Sequence, residues 1–310
     1  MSAAEQDARR GFWAAFTAFF IWGLLPIYIR QLAPTEAVEI MAHRVLWALL
    51  FVFSYLAIKG EVGTVWTTLR NAKARLRLAA SAVLITINWL VYVWAASNGH
   101  VVEASLGYFI NPLVSVLLGV FVLKEKLNRW QWIAVALAAL GVLWLTLQVG
   151  RPPWIAIALA LSFGIYGLIR KQVAVESVTG LGVEVLLIAP FMLVYLMWKL
   201  SSGTMTFGHY SLYVDGFLIL GGAITAIPLV LFSYGVRRVP LSTVGILQYV
   251  GPTLQLITGV FAFHEPFSQI QLIGFGLIWA ALVVYAGEGL WRGRRARLNA
   301  ALADSGAPAP

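Results

Sequence analysis

Glu36, Glu39 and His43 recur at i, i+3 and i+7, and Arg44 follows His43 directly, inside the otherwise apolar run EIMAHRVLW (39–47). On a helix this spacing gathers the two carboxylates and the imidazole on one face, with the guanidinium about 100° away. Glu39 and His43, four apart, are close enough for a direct hydrogen bond and for passing a proton. Arg44 invites an anion. Two readings of Arg44 stand open. As a brace, it snorkels outward or is tied to backbone carbonyls. As a ligand, it faces the interior and holds an anionic part of a substrate, while Glu39 or His43 carries a coupling proton. Glu184 falls near Glu39's place in a later, similar segment and has no arginine next to it in sequence, which favours the second reading.

A second set is uncharged. Ser105, Tyr108, Pro112, Ser115 and Gly119 are spaced by three or four, so one helix face carries them all. Gly245, Gln248, Pro252, Gln255 and Gly259 repeat that spacing later in the chain. Lipid does not favour such a stripe, so Tyr108, Asn111, Ser115, Gln248, Tyr249 and Gln255 are read as facing a cavity. The glycines are read as close-packing positions. Pro112 and Pro252 are expected to kink their helices and to free the carbonyls of Tyr108 and Gln248. Asn88 and Tyr92, one helical turn apart, add a candidate face, and Trp22 and Trp89 lie deep enough to join the same site.

The elements that must position these residues follow from composition. Of 310 residues 60% are apolar and only 11% charged, with a mean hydropathy of +0.83. Soluble domains carry about 25% charged residues, so the chain reads as an all-α integral membrane protein in contact with the bilayer. Apolar runs of about 20 residues place ten spans near 11–29, 36–58, 76–96, 101–123, 129–148, 153–169, 178–198, 214–236, 240–263 and 269–287. Outside them, 18 Lys and Arg fall on one side and 3 on the other. By the positive-inside rule both termini are cytoplasmic, in a bacterial inner membrane. The net charge of +9 therefore belongs to topology, and no nucleic acid is expected. With no cysteine, a Cys-based metal site or nucleophile is excluded. The first span lacks a small-residue cleavage site and is read as a retained anchor.

The chain also repeats itself. Residues 112–137 align with 252–277 at a constant offset of 140, pairing Pro112, Gly119, Glu125 and Gln131 with Pro252, Gly259, Glu265 and Gln271. WGLLPIYIRQ (22–31) and FGIYGLIRKQ (163–172) extend the duplication to the first span of each half. The domains read as one five-helix repeat over 1–150, a second over 151–290, and a basic, disordered tail over 291–310. Five crossings is an odd number, so the second copy must enter from the opposite face, giving an inverted repeat. Glu125 and Glu265 precede Asn128 and Ser268, which can cap the next helices, so both acids are read as turn residues.

IWGLLPIY, EIMAHRVLW, NWLVYVWA, NGHVVEASLGYFINPLVSVLLGV and PLSTVGILQYVGPTLQ resemble the RarD-type branch of the drug/metabolite transporter superfamily, built from EamA-type repeats. The resemblance runs over about 11–287. It implies a ten-helix inner-membrane permease with a cavity formed mainly by spans 1, 3, 4, 6, 8 and 9, which would leave Arg44 on span 2 outside. The family's usual Gly-Glu pair is Lys124–Glu125 here and His264–Glu265 in the second copy.

The expected function is a secondary transporter, exporting a small amphipathic metabolite or drug by alternating access, with chloramphenicol-related or amino-acid-like substrates in view. Protons stand as a possible coupling ion, carried by Glu39, His43 or Glu184, and no cofactor or metal is expected. A facilitative, channel-like permease is the alternative, and an intramembrane enzyme a weaker one. Aspartate occurs only at 7, 215 and 304, and HEPFS has Ser268 where a zinc-protease helix needs its second His. No phosphate-binding glycine loop is present, so ATP is not the driver.

Overall fold

The structure is a computed structural model that describes residues 3–33, 35–97, 101–148, 154–262, 264 and 268–305. All regular structure among them is helical. In chain order the helices are α1 (Ala3–Gly23), α2 (Leu25–Arg30), α3 (Ala37–Ile58), α4 (Val62–Arg70), α5 (Ala72–Ser97), α6 (Val101–Phe121) and α7 (Arg129–Leu147). There follow α8 (Trp154–Gln172), α9 (Ser177–Ser201), α10 (Leu212–Val236), α11 (Leu241–Leu247), α12 (Val250–Ile257), a π-helical turn (Thr258–Ala262) and α13 (Gln269–Ser305). Among the described residues nine stretches are long and apolar enough to cross a bilayer, and Leu106–Phe121 adds a shorter apolar helix. They match the ten expected spans one for one.

Two compact units emerge: Met1–Glu125 with Pro152–Pro266, and Lys126–Arg151 with Phe267–Pro310. The smaller is a pair of antiparallel helices. Asn128, before α7, donates to Glu288 of α13, and Trp144 at the far end of α7 donates to the carbonyl of Ile270 at 3.1 Å. Between them Gly141 lies so close to α13 that an added Cβ would stand 2.8 Å from the Gly274 carbonyl oxygen. Both helices open on the same device. Asn128 accepts from the Gln131 amide at 2.9 Å while the Gln131 side chain accepts from Asn128 N–H at 3.0 Å. Their repeat mates Ser268 and Gln271 exchange the corresponding bonds at 3.2 and 2.9 Å. Such reciprocal caps satisfy donors that no helix can satisfy internally.

The larger unit repeats the antiparallel relation. Lys199, late in α9, reaches Glu36 just before α3 at 2.9 Å, while Gly182, early in α9, lies against Val52 and Leu56 late in α3. Repeat-related helices that run in opposite directions are what an inverted duplication produces.

The duplication extends to the backbone. Lys124 and His264, related by the same offset, both sit in the left-handed region, at φ +58° and +55°. A side chain there is strained where glycine is not. Lys124→Gly is therefore expected to raise stability by about 1 kcal/mol, read as an upward shift in the thermal midpoint in detergent. The turn so formed delivers Glu125 to the start of α11, where its carboxylate accepts from Leu241 N–H at 2.6 Å, Ser242 N–H at 2.9 Å and the Ser242 hydroxyl at 2.7 Å. Glu265 lies outside the described residues.

Three features differ from the sequence reading. The ninth span is broken rather than kinked: α11 stops at Leu247 and α12 restarts at Val250, with Gln248 and Tyr249 in the join. The carbonyl of Gln248, expected to be free, accepts from Gly251 N–H at 3.2 Å in that join. The first span is likewise interrupted at Leu24, ahead of Pro26, because proline opens a helix more easily than it continues one. Finally, α13 continues through the basic segment to Ser305, where a disordered tail was expected; the Arg, Ala and Leu that dominate it are strong helix formers.

Candidate functional site

A cavity of about 170 Å3 opens inside the larger unit, roughly ten times the volume one water needs. Its wall is drawn from repeat-related positions. Phe19 and Leu159, Ile85 and Thr225, Trp89 and Leu229, Tyr108 and Gln248, and Asn111 and Gly251 all line it, and every one of these pairs is related by the offset of 140. Trp22 and Phe163, from the matched first spans of the two halves, face each other across 5.8 Å between ring centroids. The two interrupted spans bring their breaks to this place. Leu25 and Pro26 of α2 and Gln248 and Gly251 at the α11–α12 join are on the wall.

Most of the expected residues meet here. Trp22, Asn88, Tyr92, Tyr108, Asn111, Gln248, Gln255 and Pro252 line the cavity, as does Trp89. The Tyr92 and Tyr108 rings make an edge contact at 5.9 Å. Asn88 is fixed by donating to the Leu159 carbonyl and the Ser162 hydroxyl, both at 2.9 Å, and Gln255 donates to the Trp22 carbonyl at 3.2 Å. Gln248 donates its side-chain amide to Ser115 at 2.9 Å, which leaves its side-chain oxygen without a partner among the described residues. The side-chain oxygen of Asn111 is in the same condition. Buried acceptors left so are costly.

Others stand apart. Ser115 is behind the wall, holding Gln248, and Tyr249 is fully buried with its hydroxyl on the Phe109 carbonyl at 3.3 Å. Both therefore support the wall rather than line it; Tyr249 follows Gln248 in a helical backbone conformation and so points about 100° away from it. Pro112 likewise does not line the cavity; its carbonyl is where Gly245 approaches, so close that an added Cβ would stand 2.6 Å from the oxygen. The Ser105 side chain lies outside the described ones. Thr225, Leu159, Phe163 and Leu229 escaped the sequence reading. The offset of 140 could have found Thr225 from Ile85 and Leu229 from Trp89 had the wall of either half been known.

The titratable cluster of α3 is dismantled. Glu39 is wholly buried and accepts from Thr206 N–H at 2.7 Å and Phe207 N–H at 3.3 Å, with Lys199 at 3.3 Å. No hydrogen bond joins it to His43, whose ring instead stacks on Phe207 at 4.8 Å. Glu39 thus ties the 204–208 loop and the end of α9 to the start of α3. Glu184, which has no arginine next to it in sequence, has one in space. Arg170 of α8 approaches it at 3.5 Å, and the Ser81 hydroxyl donates to it. Each of these carboxylates is held by a tertiary partner, which a helix-face pattern cannot reveal.

Arg44 is separated from that cluster and lines the cavity, contrary to its expected exclusion on span 2. α3 packs against α10, and Arg44 leans across α10 so that its Nε donates to Thr225 at 2.8 Å. Its guanidinium carbon lies 5.7 Å from the Trp89 ring.

Comparison with known proteins accords with this architecture. The EamA-like transporter family model matches residues 9–147 and again 152–287, one match for each half. A protein named RarD from Streptomyces exfoliatus is 44% identical over 96% of this chain and 95% of its own length. The uncharacterized transporter YojE of Bacillus subtilis is 43% identical over 90% and 94%. The chloramphenicol-sensitive protein RarD of Pseudomonas aeruginosa is 31% identical over 89% and 93%. A crystal structure of a protein 18% identical superposes with a TM-score of 0.69 over 88% of this chain and 96% of that one, which supports the fold. Two EamA matches, ten apolar helices in two antiparallel-related halves and a shared cavity between them converge: the chain belongs to the EamA-like transporter family, in its RarD-type branch, and is a multi-pass membrane transporter.

Proposed function

We propose that the protein is a secondary exporter that carries a small amphipathic organic molecule across the bacterial inner membrane by alternating access, with both termini in the cytoplasm. The observation that carries this reading is the pairing of the cavity wall at a constant offset of 140. Two copies of one unit, mirrored about the cavity, can exchange conformations and turn the same wall toward either side of the bilayer. The lining combines Trp, Tyr and Phe rings with the amides of Asn88, Asn111, Gln248 and Gln255. Rings take the apolar body of a solute and amides its polar groups. Chloramphenicol-like compounds and aromatic amino-acid derivatives fit that description.

Transport into sealed inside-out vesicles, with and without an imposed pH gradient, tests the reading with radiolabelled amino acids, nucleobases and phenicols. Gradient-dependent accumulation supports secondary transport, and equilibration without accumulation under any gradient points to the facilitative alternative. Asn111→Ala and Gln248→Ala should each lower flux roughly 3- to 10-fold, the effect of one lost hydrogen bond, with normal membrane insertion. Wild-type flux in both variants would remove the cavity from the transport path.

A further inference from the structure

We infer that the transported molecule is an organic monoanion, an aromatic or similarly flat body bearing one carboxylate-like group, and that Arg44 is the residue that selects it. This rests on the transport reading above and names the substrate class of the same cavity.

The first observation is the character of the wall. Arg44 is the sole charged residue among the described residues lining the cavity. Its Nε is fixed on Thr225, itself anchored by donating to the Gly221 carbonyl at 2.7 Å. The two terminal nitrogens make no hydrogen bond with any described residue, and no described carboxylate lies within ion-pair distance. A guanidinium held by Nε presents the remaining fork of donors in one plane, which matches two oxygens of a carboxylate. Trp89 at its side offers a face that a flat solute can share.

The second observation comes from the duplication. At the offset of 140 that pairs the wall, Glu184 falls on Arg44 rather than near Glu39. There the second half supplies the opposite charge itself. Arg170 gives Nε to Ser233 at 2.9 Å and a terminal nitrogen to the Ser177 carbonyl at 3.1 Å, and it pairs with Glu184 at 3.5 Å; both charged side chains are 2% exposed. Glu184 is absent from the cavity wall. The two halves thus agree at five wall pairs, and Arg44 is among the wall residues whose repeat mate lies off the wall. Where one copy carries a carboxylate matched internally, the other carries a cation open to the cavity. A cation in a membrane interior is expensive where no described carboxylate neutralises it, and an incoming anion relieves that cost. With a single cation and no carboxylate among the described residues of the wall, a net monoanion is matched better than a cation or a dianion. The unpartnered side-chain oxygens of Asn111 and Gln248 add acceptors for a hydroxyl or amide N–H elsewhere on the solute.

Matched pairs of acid and neutral amide test this directly on the purified full-length protein: benzoate with benzamide, 4-hydroxyphenylacetate with its amide, and indole-3-acetate with its amide. Binding is read by ligand-induced thermal stabilisation and by competition. At least one acid should bind, roughly 10- to 100-fold more tightly than its amide, the range of charge-assisted hydrogen bonds. Arg44→Gln should erase the difference, and Arg44→Lys, which keeps the charge but loses the fork, should retain part of it. An acid preference that survives Arg44→Gln, equal binding of acid and amide to wild type, or no binding by any acid would each overturn the inference. Should Arg44→Gln fail to fold, the comparison rests on wild type against Arg44→Lys, where undiminished preference would remove the fork from the account. The two readings fail separately. Vesicle flux with no acid preference leaves transport intact and removes the anion, whereas acid-selective binding without flux in proteoliposomes keeps Arg44's role and removes transport.

Discussion

Glu184→Ala is expected to destabilise the protein by about 3–5 kcal/mol, the cost of leaving one member of a buried ion pair behind. Arg170 is 2% exposed and packed tightly against Gly180, where an added Cβ would strike its guanidinium, so the cation stays buried when the carboxylate is lost. Its bonds to Ser233 and Ser177 hold the cation in place without neutralising it. The loss should appear as a large fall in thermal midpoint and a poor yield of monodisperse protein in detergent. Removing both charges together, as Arg170→Met with Glu184→Leu, should recover most of that stability, since buried pairs replaced by apolar groups of similar volume are often neutral. A Glu184→Ala protein as stable as wild type, but with flux no longer responsive to a pH gradient, would return Glu184 to the proton-carrying role that the sequence suggested.

Gly222→Leu should be nearly as damaging, through backbone rather than charge. α10 crosses α3 at this glycine, and a Cβ there would stand 2.5 Å from the Trp47 carbonyl carbon and 2.7 Å from the Ala48 nitrogen. Backbone atoms cannot rotate aside as a side chain end can, so the helices must part. Overpacking costs typically about 1–3 kcal/mol, and a leucine against main chain belongs at the top of that range or above it. The same crossing sets Arg44. The neighbouring Gly221 supplies the carbonyl that orients Thr225, and an added Cβ at Gly221 would lie 3.0 Å from Arg44 Cγ. Gly222→Leu should therefore reduce both thermal midpoint and flux, whereas Gly222→Ala should cost less of each. A Gly222→Leu variant with wild-type midpoint and flux would mean that α3 and α10 are not in close contact.

Sequence made the spans and their duplication legible for a simple reason. A bilayer demands about 20 apolar residues per crossing, and such runs are unmistakable in a chain only 11% charged. The stripe over Tyr108, Asn111, Gln248 and Gln255 was legible because polar groups on a lipid face are disfavoured wherever they fall. Less could be read where tertiary partners decide. Glu39 and His43 are suitably spaced on a helix, yet Thr206, Phe207 and Lys199, far along the chain in the other half, claim the carboxylate. Glu184 finds Arg170 across two helices rather than along one. The break at Gln248–Tyr249 hides in a continuously apolar run, where only hydrogen bonding distinguishes one helix from two. Tyr249, adjacent in sequence to a wall residue, is not one because successive helical side chains point about 100° apart. α4 was missed because nine residues, VGTVWTTLR, are too few for a span and too mixed for a clear period.

The central claim is that repeat-related faces of α5, α6, α10 and the α11–α12 join enclose a wet chamber, and cysteine scanning tests it most directly. The chain contains no cysteine, so Tyr108→Cys, Gln248→Cys and Thr225→Cys each supply a single thiol. Val83→Cys and Leu117→Cys, on outward-facing positions of α5 and α6, serve as controls. Thiols react as thiolates and need water to ionise. In intact membranes a small water-soluble methanethiosulfonate should modify the three chamber positions from at least one side and leave the two controls unmodified. Labelling of the controls with the chamber positions silent would mean that those faces meet lipid, and the account would fall.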